Sequence, residues 1–197
     1  MDSTEHVIRL FHDSIEAKAS YGELLAPKLV AASEVVVETF INNGHLLIGG
    51  YGSGHLCAQY FAGLLLNQTT QERPALPGQL LDAHSGIAST IGLSYSPVEI
   101  FSRQVRAFGQ PGDLLVLFAA HDSPPILLHA VQAAHERNMR VLCFNGGEIS
   151  RLTQLLSNQD LEVRIPLCSE FLLQELQMLL AYALAELIDH SLFGGGD

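Results

Sequence analysis

The chain is short of basic residues, with ten Lys and Arg against 21 Asp and Glu and a formal net charge of −11 at pH 7. None of the ten is clustered, so the sequence offers no electrostatic footprint for DNA or RNA phosphates, and direct nucleic-acid binding is not expected. The same acidic surface repels anionic lipid, and no apolar run approaches the ~20 residues that span a bilayer, so no membrane association is expected. Residues 1–6 are polar and lack the basic-then-apolar order of a signal peptide, an expectation of cytoplasmic residence. Cysteine is scarce too. Cys57, Cys143 and Cys168 make an odd set without C-x-x-C spacing, which excludes a structural cysteine zinc cluster and reads as buried free thiols.

What is present is apolar. Hydrophobic residues make up 48% of a 197-residue chain, enough for the core of one domain. The first forty residues carry helical spacing, as in Val7, Phe11 and Ile15, and predict two helices joined near residues 25–28. A short apolar run at 46–48 enters Gly49-Gly50-Tyr51-Gly52-Ser53-Gly54 and then a helical pattern over 55–67, the strand–turn–helix unit of a parallel sheet. Further strands are predicted at 79–83, 113–120, 140–144 and, as an edge, 161–165. Helices are predicted at 97–108 and 124–138, with a nearly all-apolar one at 169–192. A helix without a polar face is buried, and a subunit interface is the expected place. The fold class is therefore α/β, a doubly wound five-stranded parallel sheet of flavodoxin-like type in a single domain. Residues 1–44 supply N-terminal helices, 45–168 the core and 169–193 the C-terminal helix. Ligands in such sheets bind beyond the carboxyl ends of the strands, and the turn at 49–54 can hold an anionic group on backbone N–H groups or serve only as a tight connection.

Several strings are more specific. Ala58-Gln59-Tyr60-Phe61-Ala62, Glu72-Arg73-Pro74-Ala75-Leu76-Pro77, Gln104-Val105-Arg106-Ala107-Phe108-Gly109 and Glu162-Val163-Arg164-Ile165-Pro166 recur in one family, with Gln174-Glu175 and Leu187-Ile188-Asp189 completing the set. The chain resembles the SIS-domain phosphoheptose isomerases (GmhA) and their relative DiaA, the DnaA initiator-associating protein, over essentially its whole length. The resemblance implies a sugar-phosphate pocket at Gly52, Ser53, Gly54, His84, His121, Ser123 and Gln174. The isomerases have Gly-Asn-Gly-Gly-Ser in the first loop, where Tyr51 here takes the asparagine position and Gly54 the serine position. Their second phosphate loop, Ser-Thr-Ser-Gly-Asn-Ser, is Ala119-Ala120-His121-Asp122-Ser123-Pro124 here. Hydroxyl donors are lost, and Asp122 would repel a phosphate by roughly 1 to 4 kcal/mol at about 4 Å. The positions of the family's zinc ligands and base carry Tyr60, Leu64, Gln174 and Tyr182, of which only the glutamine is retained, so no metal or other cofactor and no catalytic residue is expected.

The resemblance to DiaA implies a non-catalytic homotetrameric adaptor that binds a DnaA-like initiator through Leu192 and Phe193 and promotes its assembly by multivalent display. Those two residues can equally cap the subunit core. The alternative function is a phosphoheptose isomerase, acting on sedoheptulose 7-phosphate, or a phosphosugar-binding sensor. A structural paralogue with another partner is the third reading. His55, His84 and His121 rim the expected pocket with Asp122, either as a new metal or proton-transfer site or as solvated loop residues. Gln174-Glu175 can likewise be hydrogen-bonded structure.

Overall fold

The computed structural model describes residues 2–68, 72–83, 85–120, 123–166 and 168–194. Five parallel strands lie in the order β2-β1-β3-β4-β5, with β1 Leu46–Gly50, β2 Gly78–Leu80, β3 Leu114–Phe118, β4 Arg140–Gly146 and β5 Leu161–Ile165. β1 and β3 are buried along their whole length, as expected of central parallel strands covered on both faces. Side chains alternate between faces. Leu46, Ile48, Leu114, Val116 and Phe118 join a core under α1 (Ser3–Ile41), α2 (Ser53–Leu66) and α7 (Glu170–Phe193). Leu47, Leu115, Leu117, Val141 and Cys143 face the opposite layer, built from α3 (Gly86–Ser94), α4 (Ile100–Phe108), α5 (Pro125–Glu136) and α6 (Arg151–Leu155). The chain leaves β1 through α2 on one face to reach β2. It returns through α3 and α4 on the other face to β3, on β1's far side, so the switch point lies between β1 and β3.

The N-terminal region is one helix, not two, and α1 runs through Pro27. Proline in a helix interior costs about 3 kcal/mol. Here Pro27 and Glu23, whose carbonyl would have accepted its N–H, are both exposed, so water can serve the carbonyl. Leu25 and Leu29 are buried on either side, and their packing holds the helix through the break. α3 and α6 lie outside the predicted elements, and the helix predicted from residue 97 begins instead with a 3-10 turn over Pro97–Glu99. β4 extends two residues further than expected, through Asn145 and Gly146.

α7 is 24 residues long and apolar enough by length and composition to cross a membrane, contrary to the expectation that no such run exists. Within the chain it is a core helix instead. Leu173, Leu176, Leu180, Leu184 and Ile188 are buried against α1 and α2. Its internal polar residues are bonded in place: Gln177 to main-chain carbonyls and Asp189 to Arg73.

Candidate functional site

The turn after β1 sits at the switch point. Gly52 has φ 61°, in the left-handed region that favours glycine, and it is the N-cap of α2 with no side chain capping it. Gly54 brings the first turn of α2 onto β3, and a Cβ built there would lie 2.2 Å from the Phe118 carbonyl oxygen. The helix N-terminus, with its outward N–H groups and partial positive charge, is thereby fixed at the carboxyl ends of the two central strands. Phe118 stacks on Phe144 at 4.8 Å between centroids and meets the edge of Phe61 from α2 at 6.1 Å, stiffening the floor.

Beside this turn lies a cleft of about 320 Å³. Tyr51 follows β1, Pro97 and Val98 come from the 3-10 turn, and Pro124, Pro125 and Ile126 come from the segment entering α5. The wall is apolar. Ser123 belongs to the same segment, but its hydroxyl donates to Ser150 Oγ at 3.0 Å, away from the turn and into a polar network after β4.

That network is self-satisfying. Asn145, fully buried, donates to Ser150 Oγ at 2.9 Å and Glu162 Oε1 at 3.2 Å, and Thr153 Oγ1 donates to the same carboxylate at 2.7 Å. Burial pushes the Glu162 carboxyl up, but hydrogen bonds from Arg164, Thr153 and Asn145 together outweigh it and hold the group below the usual carboxylate range. Sequence reading had no signal for this network, because its members are joined only by the register of β4 and β5.

The positions that carry metal ligands and base in the resembling isomerases do fall on one seam between α2 and α7. Cys57 Sγ contacts the Gln174 carbonyl at 3.9 Å, and Tyr60 is close enough to Tyr182 to disfavour its ionisation. The Tyr182 hydroxyl donates to Glu186 Oε1 at 2.7 Å, and this bond is the main reason that its pKa is raised. Gln174 and Leu64 are half-buried on the same seam. Gln177, one turn along from Gln174, was missed in the sequence. It is 1% exposed and donates to the Ala119 carbonyl at 2.7 Å and the Phe144 carbonyl at 3.3 Å, tying α7 to the ends of β3 and β4. A glutamine in an apolar helix, three residues after Gln174, was the available clue.

Of the three rim histidines, His55 sits in the first turn of α2, half-buried. His84, His121 and Asp122 lie outside the described residues, so their convergence is not part of this geometry. Leu192 packs against the core and Phe193 is 41% exposed. Both line a groove with Phe40, Leu76 and Pro77 at the amino edge of the sheet, far from the turn.

Comparison with known proteins agrees with this arrangement. Residues 11–146 match the model of the SIS domain. A phosphoheptose isomerase of Chromohalobacter salexigens is 36% identical over 194 residues, 98% of either chain. Among solved structures, a phosphoheptose isomerase from Francisella tularensis superposes with a TM-score of 0.92 at 31% identity, covering 96% of this chain and 100% of the other. GmhA from Neisseria gonorrhoeae gives 0.87 at 31% identity, covering 95% and 99%. These relatives overturn the expected adaptor of a DnaA-like initiator, because the proteins that match along the full length are phosphoheptose isomerases. The physical reason for the error is that losses at Tyr60, Leu64 and Tyr182 bear on catalysis and say nothing positive about a protein partner. The chain belongs to the SIS domain family, with phosphoheptose isomerases among its full-length relatives.

Proposed function

We propose that this chain is a phosphosugar-binding protein that takes a seven-carbon sugar phosphate at the carboxyl ends of β1 and β3. The junction itself carries the reading: an uncapped α2 N-terminus, opened by Gly52 and pressed onto β3 by Gly54, beside a cleft of about 320 Å³. In a chain of net charge −11, the positive end of a helix is a rare favourable place for a phosphate, and the hydroxyl of Ser53 stands on the same turn. The cleft is at the small end of the ligand-site range, suited to a monosaccharide.

Isomerisation is the second reading, favoured by the full-length similarity to phosphoheptose isomerases. The zinc that the resemblance implies does not fit the residues on the α2–α7 seam. Two phenols, an amide and a leucine are a poor donor set for zinc. Among the described residues no three His, Cys, Asp or Glu side chains gather as a metal set. The carboxylate on the outer part of the seam, Glu186, is engaged by Tyr182. The reading therefore rests on binding, with no step assigned to a metal.

Calorimetric titration with sedoheptulose 7-phosphate tests it. Saturable binding that inorganic phosphate displaces is the expected result, and no heat at millimolar ligand would overturn the proposal. Phosphorus NMR of the same mixture, with and without added zinc, separates the two readings. An unchanged ligand keeps the protein a binder, whereas a new heptose phosphate formed over many turnovers establishes the isomerase.

A further inference from the structure

The wall of the cleft is mismatched to a bare polyol. Tyr51, Pro97, Val98, Pro124, Pro125 and Ile126 present ring faces and aliphatic carbon, and the lone side-chain polar group among the six is the Tyr51 phenol. Prolines also lack the main-chain N–H with which a sugar hydroxyl is commonly held. A hydroxyl pressed on such a surface gives up water without a new partner, so it is disfavoured there. Two of these residues stand where the resembling isomerases have hydrogen-bonding side chains, Tyr51 for asparagine and Pro124 for serine. Ser123, the nearest hydroxyl on that wall's own segment, is committed to Ser150.

We propose that the ligand is a sugar phosphate bearing an apolar acyl substituent, an N-acylated amino sugar phosphate whose acyl group packs against Tyr51, Pro97, Val98 and Ile126. This inference rests on the phosphosugar reading of the site and names the substrate class within it. The acyl methyl needs no hydrogen-bond partner. The planar amide can stack on the Tyr51 ring, which is 50% exposed at the mouth of the cleft, while its own polar atoms remain in reach of water. Val98 is half-buried and Ile126 is 5% exposed, so the inner part of the wall is already dry and gives the methyl a preformed seat. The phosphate stays on the turn at 52–54, which these residues adjoin through Tyr51.

The test uses pairs of ligands that differ only at carbon 2: N-acetylglucosamine 6-phosphate against glucose 6-phosphate, and N-acetylmannosamine 6-phosphate against mannose 6-phosphate. Calorimetry is expected to show the acetylated member of at least one pair binding about ten-fold more tightly, the scale of one small apolar group in a matched pocket. A Tyr51→Asn/Val98→Asn variant should bring that ratio to within about two-fold while leaving the thermal midpoint of the free protein in place. Tyr51→Asn alone, at a half-exposed position, serves if the double change disturbs folding. Parent sugars that bind as tightly as their acetylated forms would overturn the inference and leave the phosphosugar reading standing. An acetyl preference that survives in the variants would overturn it as well, since the group would then sit elsewhere. If neither pair nor sedoheptulose 7-phosphate binds, both readings fall.

Discussion

The two ends of the α2–α7 seam are built on opposite terms. At its C-terminal end Arg73 is 1% exposed, donating through Nε to Asp189 at 2.6 Å and through its other nitrogens to the carbonyls of Leu64 and Leu65 at 2.8 Å. One guanidinium thus closes the last turn of α2 and binds it to α7. At the N-terminal end there is no such lock. α7 meets α2 through Cys57 and the Gln174 main chain, and Gln177 turns aside to hold the ends of β3 and β4. The difference shows where this fold keeps its stability and where it leaves room to change. Tyr60, Leu64 and Tyr182 lie on the half-exposed stripe between these anchors, so the family's chemistry could be exchanged there without cutting either anchor.

The contrast makes the largest effect fall far from the site. Arg73→Leu removes the partner of a carboxylate that is 3% exposed, and urea unfolding should show a loss of about 3–5 kcal/mol. Binding by the fraction still folded should be unchanged, and a weakened affinity would mean that the two ends are coupled. Gln177→Leu is expected to lose less, about 1–3 kcal/mol, because it strips the Ala119 carbonyl of its side-chain donor. It should also weaken sedoheptulose 7-phosphate binding several-fold, since the segment after β3 loses its tie. If Gln177→Leu lowers stability alone, both ends of the seam are structural. Glu175 gives the smallest effect. Hydrogen bonds from Lys18 and Ser14 hold its carboxyl below the usual range, and they fasten the first half of α1 to α7. A depressed folded-state pKa contributes stability that is full above the unfolded value of about 4.3 and is lost as pH falls through the folded value. Glu175→Gln should therefore flatten part of the acid limb of a stability–pH curve below about pH 5, and an unchanged limb would show that the bond is not held in solution.

Much of the fold was legible because its signals are local. The apolar runs at β1 and β3 and the glycine turn between β1 and α2 are contiguous in sequence, and the parallel sheet follows from their order. Pro27 misled because a local helix breaker lost to distant packing by Leu25 and Leu29. α3 was missed because it buries little, with Ala88 its buried residue and Ile87 and Leu93 exposed. The site was legible in outline at Gly52–Gly54. Its wall was not, since Tyr51, Val98 and Ile126 come from three separate segments that meet only once β1, β2 and β3 lie side by side. Ser123 was placed correctly in sequence but faces another partner, because Ser150 arrives from beyond β4.

The closeness of Gly54 to β3 also bears on how this chain could be changed by design or descent. The resembling isomerases carry serine at this position, and a single Gly54→Ser reversion is the obvious step back toward their first loop. That serine's Cβ would collide with the Phe118 carbonyl oxygen at 2.2 Å, against main chain that cannot rotate away as a side chain would. The ancestral residue has become inaccessible by one substitution: β3 or the turn must move first, and the Phe118–Phe144 stack resists that movement. Neighbouring residues have thus made the loss of the serine a one-way step, and a search for restored activity would need variation in both loops at once.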